Sequence, residues 1–168
     1  QLMGTEEAVF FLEQLLKEVQ ERVRNKQGVI ENERFRLLWE GPQPFHDLEL
    51  LNYFEARGAA VLVEQDIDRL LYPGGGDPAD PLESLARKML SAFPNGVIEN
   101  RVNLTRQLVE DYDIDGMVFF TETGCRQYGG GNRIVADAMY DEFGIPSLFL
   151  DGNTLDYRDY VKEDMRNR

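Results

Sequence analysis

The feature of this sequence that most limits its fold is a set of four short, continuously apolar runs. They are FRLLWEG (35–41), AAVLVEQ (59–65), GMVFFTE (116–122) and IPSLFLDG (145–152). Runs of this length that are rich in branched and aromatic residues are typical of β-strands. Since polar residues do not alternate regularly with apolar ones, we expect both faces of these strands to be covered. The pattern therefore predicts a parallel sheet between two layers of helices.

Helical patterns fill the intervals between these runs. Thr5, followed by two glutamates, predicts the start of a first helix that ends near Asn25. Further helices are predicted over 46–58, 82–93, 98–112 and 156–168, and a helical face of Ile134, Val135, Ala138 and Met139 precedes Gly144. The alternation predicts an α/β, flavodoxin-like three-layer domain with four parallel strands in the order 2-1-3-4 and an extra N-terminal helix. We expect residues 1–168 to form a single α/β domain.

The composition limits which binding partners and which cellular compartment we expect for this chain. The 168 residues carry a formal net charge of −13, with the acidic residues scattered along the chain. Because such a charge repels phosphate backbones, we expect no nucleic-acid partner. No apolar stretch reaches the length of about 18 residues that a spanning helix needs, so we expect no membrane association. One cysteine cannot form an internal disulfide, which favours a reducing compartment and predicts a cytoplasmic location.

The predicted strand order places a ligand crevice between the first and third strands, at their carboxyl ends. This crevice brings together the loops GPQPFH (41–46) and TETGCRQYGGGN (121–132), and the second of them holds the chain's only cysteine, Cys125. The crevice residues that we expect to contact a substrate are Gly41, Pro42, Glu122, Gly124 and Arg126.

Three interpretations of Cys125 follow from the residues alone. A lone cysteine is often a small buried apolar residue. It could instead be a metal or cluster ligand, because a helix N-terminus and Arg126 favour the thiolate that soft metals and iron–sulfur clusters require. A nucleophile is the third interpretation, but His46, the only histidine, is expected at a helix start rather than as a base. The glycine-rich stretches 72–78 and 124–132 fit neither phosphate-binding pattern and predict loops.

Four longer segments resemble a known family. They are RLLWEGPQPF (36–45), LNYFEARGAAVLVEQ (51–65), ENRVNLTRQLVEDYDIDGMVFFTETGC (99–125) and FGIPSLFLDGN (143–153). Their order and spacing are similar to those in the second, C-terminal domain of 2-hydroxyacyl-CoA dehydratase and benzoyl-CoA reductase subunits. The most specific motif is DGMVFFTETGC, in which the third strand is followed by a cysteine.

The resemblance implies an oxygen-sensitive subunit of two flavodoxin-like domains with a 4Fe-4S cluster between them. Three cysteines bind the cluster in that family, and Cys125 matches the one that follows this strand. The other two would come from a preceding domain, so we expect this chain to be the C-terminal half of a longer subunit and to be inactive alone.

The resemblance also implies partners and a reaction. The partners are an acyl-CoA substrate, a second dehydratase subunit (or a second copy in a homodimer), and a separate ATP-dependent iron–sulfur activator that delivers one electron. The thioester carbonyl would be reduced to a ketyl radical anion, as in the dehydration of an (R)-2-hydroxyacyl-CoA. The resemblance does not separate dehydration from aromatic-ring reduction, nor does it identify the acyl group.

Two alternatives to this enzyme subunit stay open from the sequence. One is a non-catalytic binding or regulatory module that kept the Rossmann-like frame without the chemistry. The other is a homodimeric iron–sulfur reductase that acts on other small molecules. A preceding α/β domain with two cysteines would favour the dehydratase or reductase subunit over the module.

Overall fold

The computed structural model describes residues 5–65, 77, 79–91 and 96–159, which are divided between two compact units, 1–32 and 33–168. The first unit contains helix α1 (Glu6–Arg24). The Thr5 side chain accepts a hydrogen bond of 3.3 Å from the backbone N–H of Ala8, and Asn25 is the C-cap. The predicted start and end of this helix are therefore confirmed. None of the side chains of α1 is buried.

The second unit is built on a four-stranded sheet. Its strands are β1 (Phe35–Glu40), β2 (Ala59–Glu64), β3 (Gly116–Glu122) and β4 (Ser147–Gly152). All three strand pairs are parallel, and the order is β2-β1-β3-β4. The predicted α/β class, the parallel pairing and the order 2-1-3-4 are confirmed.

The helices of this unit flank the sheet. They are α2 (Glu49–Glu55), α3 (Pro81–Ser91), α4 (Ile98–Tyr112), α5 (Arg126–Gly129) and α6 (Asn132–Phe143), and a 3-10 turn covers Tyr157–Asp159. The helix expected over 46–58 is shorter than predicted, and the one over 98–112 has the predicted bounds. The helix expected over 82–93 begins at Pro81, and residues 92 and 93 lie outside the described residues. Of the last predicted helix, 156–168, residues 160–168 lie outside the described residues, as do 66–76 and 78 of the loop after β2. None of the described helices is long and apolar enough to cross a bilayer.

Alternate residues of the strands build two separate cores. On one face Leu38, Met117 and Phe119 pack with residues of α4 and α6. On the other face Trp39, Val118 and Phe120 pack against residues of α2 and β4, and Trp39 stacks on Phe120 with ring centroids 6.0 Å apart. This arrangement is the three-layer architecture that continuous apolar strands predict.

The same alternation determines where the last residue of β1 points. Glu40 follows Leu38 by two positions and therefore faces the layer of α4 and α6 rather than the layer of α2. Its side chain is fully buried there. A buried carboxylate needs a partner, and α4 supplies one beside the carboxyl ends of the strands.

Candidate functional site at the carboxyl ends of β1 and β3

Cys125 lies in a tight turn directly after β3. The strand ends at Glu122, whose carbonyl accepts a 3.1 Å hydrogen bond from the Cys125 N–H. Gly124 lies between them with φ +96°, a conformation that residues with a Cβ rarely adopt. The Cys125 thiol is free and half-buried. The turn thus places a free thiol at the carboxyl edge of the sheet, directly after β3.

The segment after Cys125 is a single helical turn. Cys125 is the N-cap of α5 (Arg126–Gly129), and its carbonyl accepts a 3.2 Å hydrogen bond from the Gly129 N–H. The longer helix α6 begins only at Asn132, after its cap at Gly131. Arg126 is exposed, and its side chain makes no hydrogen bond or ion pair with the described residues. No long helix therefore begins at Cys125 in the described part of the chain.

Gly41 and Pro42, which begin the loop after β1, lie next to β3. Gly41 is buried with φ +102°, and a Cβ added there would lie 2.1 Å from the carbonyl oxygen of Phe120. The indole N–H of Trp39 donates a 3.0 Å hydrogen bond to the Gly41 carbonyl. Pro42 is half-buried. Gly41 therefore has a packing role of its own, because the backbones of β1 and β3 approach each other at this point.

Glu122 is engaged in holding loops together. Its Oε2 accepts a 2.6 Å hydrogen bond from the backbone N–H of Thr154, in the loop after β4. The carbonyl of Thr154 in turn accepts a 2.9 Å bond from the N–H of Phe45, in the loop after β1. His46 Nε2 lies 3.0 Å from the carbonyl of Asn153. The loops that follow β1, β3 and β4 are thus joined at one edge of the sheet.

A buried polar cluster lies beside this edge. The Arg101 guanidinium, from α4, donates from Nε to Glu40 Oε1 at 2.7 Å, from Nη1 to the Gly130 carbonyl at 2.9 Å and from Nη2 to Asn132 Oδ1 at 2.5 Å. The Asn132 amide also donates to Thr121 Oγ1 at 3.1 Å. The side chains of Arg101 and Glu40 are 7% and 0% exposed. These five residues form the Arg101 cluster, which connects the ends of β1 and β3 to the start of α6.

The Arg101 cluster was not predicted from the sequence, although two signals for it were present. Glu40 ends an apolar strand two positions after Leu38, which places it on a buried face. Arg101 lies at helical spacing between Ile98 and Thr105, on the face of α4 that turns inward. Asn132 is the first residue of α6 and is buried in the cluster.

The donors that this edge offers to a metal are few. Among the residues that the structure describes, no group of three or more His, Cys, Asp or Glu side chains could hold a metal ion. Cys125 nevertheless offers the right kind of donor for an iron–sulfur cluster, since such clusters are held by thiolates. Cys125 therefore fits a cluster as one ligand, and the remaining ligands would have to lie outside the described residues.

The fold and this edge define an α/β domain with a single cysteine directly after the third strand of a parallel sheet. A family model described as 2-hydroxyglutaryl-CoA dehydratase, D-component, matches residues 1–168. The chain belongs to this family. It is also 28% identical over 178 aligned residues to a subunit of benzoyl-CoA reductase from Thauera aromatica. That match covers 98% of this chain but only 40% of the relative's length.

Proposed function

We propose that this chain is a domain of an acyl-CoA dehydratase or reductase subunit in which Cys125 is one ligand of a 4Fe-4S cluster. Family membership over residues 1–168 and the similarity to a benzoyl-CoA reductase subunit support the acyl-CoA chemistry. When bound, such a cluster supplies single electrons, here for the reduction of a thioester carbonyl. Whether that reduction leads to dehydration or to ring reduction depends on the acyl group.

The observation that carries the proposal is the position of Cys125. It is a free, half-buried thiol in the turn after β3, and β3 adjoins β1 at the point where the strand order reverses. Ligands of open parallel sheets bind outside the carboxyl ends of the strands at this point. A cysteine that served only as a core residue would not need to lie in that turn.

The surrounding loops would receive the acyl-CoA. Gly124 and Arg126 are exposed on either side of Cys125, so Arg126 is the cation best placed to contact an anionic part of the substrate. The same crevice would be lined at its base by less exposed residues, namely Gly41, Pro42 and Glu122. Of these, Glu122 contributes chiefly by fixing the loop after β4 through Thr154.

The complete enzyme would need further parts. We propose cluster ligands from another domain of a longer polypeptide, a second subunit or second copy that closes the site, and an ATP-dependent activator that supplies the electron. The 168-residue chain alone would then be inactive, because one thiolate cannot anchor a cluster. The single free cysteine supports a reducing, cytoplasmic location.

The deciding experiment is the iron and sulfide content of the native gene product, purified without oxygen, in the wild type and in Cys125→Ser. We expect acid-labile sulfide and iron in the wild type and loss of most of the iron in the variant, since a serine hydroxyl is a poor cluster ligand. Thr123→Ser is the matched control, because it lies in the same turn and keeps the hydroxyl that bonds the Gly152 carbonyl at 2.9 Å.

The result also separates the remaining alternatives. A native protein without iron would contradict the proposal and favour a non-catalytic module. Iron that survives Cys125→Ser would show that the cluster is held elsewhere. Iron without activity on acyl-CoA thioesters, in the presence of an activator, would favour a reductase of other small molecules.

A further inference from the structure

The Arg101 cluster bonds both ends of the segment 121–132, which carries Cys125. Thr121, at one end of the segment, is bonded through Asn132, and Gly130 and Asn132, at the other end, are bonded by Arg101. Glu40 ties the same guanidinium to the end of β1. The cluster therefore fixes both ends of residues 121–132 to the sheet and to α4.

The middle of the segment, residues 124–129, depends little on apolar burial. None of the residues of α5 is buried, and Gly124 has no atom within 4 Å of the position that a Cβ would occupy. Apolar burial, which fixes most helices, is thus lacking here. Hydrogen bonds supply the restraint instead. Thr123 bonds the Gly152 carbonyl near the start of the segment, and Arg101 bonds Gly130 and Asn132 at its end.

We infer that Arg101 is a positioning residue for Cys125, an inference that rests on the proposed role of Cys125 as a cluster ligand. Ligands of metal centres need partners beyond themselves to fix their orientation. The planar guanidinium suits this task because it donates in three directions at once, to Glu40, Gly130 and Asn132. In this role Arg101 acts through the loop, by its bonds to the Gly130 carbonyl and the Asn132 side chain.

Substitutions can separate the effect of the Arg101 guanidinium's planar geometry from the effect of its charge. Arg101→Lys keeps a positive charge beside the buried Glu40 carboxylate, but an ammonium group cannot reproduce the planar fork to three fixed acceptors. Asn132→Ala leaves the Arg101–Glu40 pair intact and removes the bonds of Asn132 to Arg101 and Thr121. Arg106→Lys is the control, because Arg106 lies on the same helix and bonds Glu142 at the surface.

The experiment uses the full-length gene product purified without oxygen. Amide hydrogen exchange is measured for residues 122–131 by mass spectrometry, alongside iron affinity and the electron paramagnetic resonance spectrum of the reduced cluster. We expect Arg101→Lys and Asn132→Ala to speed exchange in this segment by about tenfold. We expect iron affinity to fall by about 10- to 100-fold and the spectrum to change. Arg106→Lys should change none of these.

Each outcome decides the inference. Unchanged exchange in both cluster variants would overturn it, as would faster exchange with an unaltered spectrum and iron affinity. Faster exchange spread equally over β1 and α4 would indicate a general stabilising role and would also overturn it. Cys125→Ser distinguishes a failure of this inference from a failure of the proposed function. If that variant keeps its iron, the proposed function fails, and exchange alone decides whether Arg101 fixes the segment.

Discussion

Two glycines, one after β1 and one after β3, have similar φ angles but different surroundings. Gly41 has φ +102° and Gly124 has φ +96°, so alanine is strained at both positions. Only at Gly41 would the new Cβ meet backbone, 2.1 Å from the Phe120 carbonyl oxygen, whereas Gly124 faces open space. The pair therefore separates backbone strain from steric conflict between β1 and β3.

We predict that Gly124→Ala lowers the free energy of unfolding by about 1–2 kcal/mol, which is the cost of the left-handed conformation. Gly41→Ala should cost about 2–5 kcal/mol, since overpacking adds to the same strain. Urea denaturation of the two variants under identical conditions measures the difference. Equal losses would mean that the end of β1 can move away from Phe120 without cost.

The carboxyl group of Asp156 makes the stability of the fold depend on pH. The Arg158 side chain and, secondarily, its backbone N–H donate hydrogen bonds to the Asp156 carboxylate and hold its pKa below the usual range; the charge of His46 acts in the same direction. A lowered pKa in the folded state stabilises the fold at pH values above the unfolded pKa. This stabilisation is lost as the pH falls through the folded value.

We therefore predict that Asp156→Asn is less stable than the wild type near neutral pH, and that the difference shrinks as the pH falls below about 4. Urea denaturation across this pH range measures it. Asp137→Asn is a suitable control, because that carboxylate also pairs with an exposed arginine, Arg133, but on the surface of α6. A difference that grows towards acid pH would contradict the assigned cause.

The sequence predicted some of these positions and not others. Cys125 could be predicted to lie at the carboxyl edge of the sheet, because it directly follows the third strand. Glu122 was expected to contact a substrate, but its bond to the Thr154 N–H depends on how a distant loop returns, which no local pattern records. Arg101 was missed because its partners Glu40 and Gly130 are 61 and 29 residues away.

At the scale of elements, α4 carries two arginines in contrasting environments. Arg101 pairs with Glu40 in the interior, while Arg106 binds Glu142 of α6 with side chains 35% and 41% exposed. Both bonds connect α4 to another element. Breaking a buried pair leaves a charge in a poorly solvated place, whereas an exposed pair is replaced by water.

We predict that Arg101→Met lowers the free energy of unfolding by about 3–5 kcal/mol and that Arg106→Met lowers it by about 0–1 kcal/mol. Chemical denaturation measures both losses. The double variant E40Q/R101M should recover part of the larger loss, because no uncompensated charge then stays buried. A double variant less stable than R101M alone would show that Glu40 has a stabilising role apart from this pair.

Element boundaries were predictable where the sequence contains a residue that ends a helix or begins a strand. α4 and β3 have their predicted bounds, since Asp113, with φ +50°, ends the helix and Gly116 opens the strand. Helix α2 is shorter than its pattern because Leu48, its N-cap, offers no side-chain oxygen to an N–H. The short turn α5 was not predicted, since four residues carry no periodicity.

At the scale of the whole molecule, the net charge of −13 is the dominant electrostatic feature. Among the described residues, the Arg101–Glu40 pair is the buried ion pair, and the others lie partly or largely exposed. Exposed pairs contribute little and are screened by salt, whereas a buried pair is screened much less. Repulsion among the excess carboxylates destabilises the compact state, and salt screens this repulsion as well.

These magnitudes predict that salt stabilises the chain. The repulsion is summed over many uncompensated carboxylates, while each exposed pair offers at most about 1 kcal/mol. Raising sodium chloride from about 10 mM to about 500 mM should therefore raise the melting temperature by a few degrees, at about 2–4 °C for each kcal/mol gained. Sucrose at matched osmolality controls for excluded-solute effects. A melting temperature that falls with salt would mean that the surface pairs outweigh the repulsion, and the Arg106–Glu142 pair would then be the first to remove.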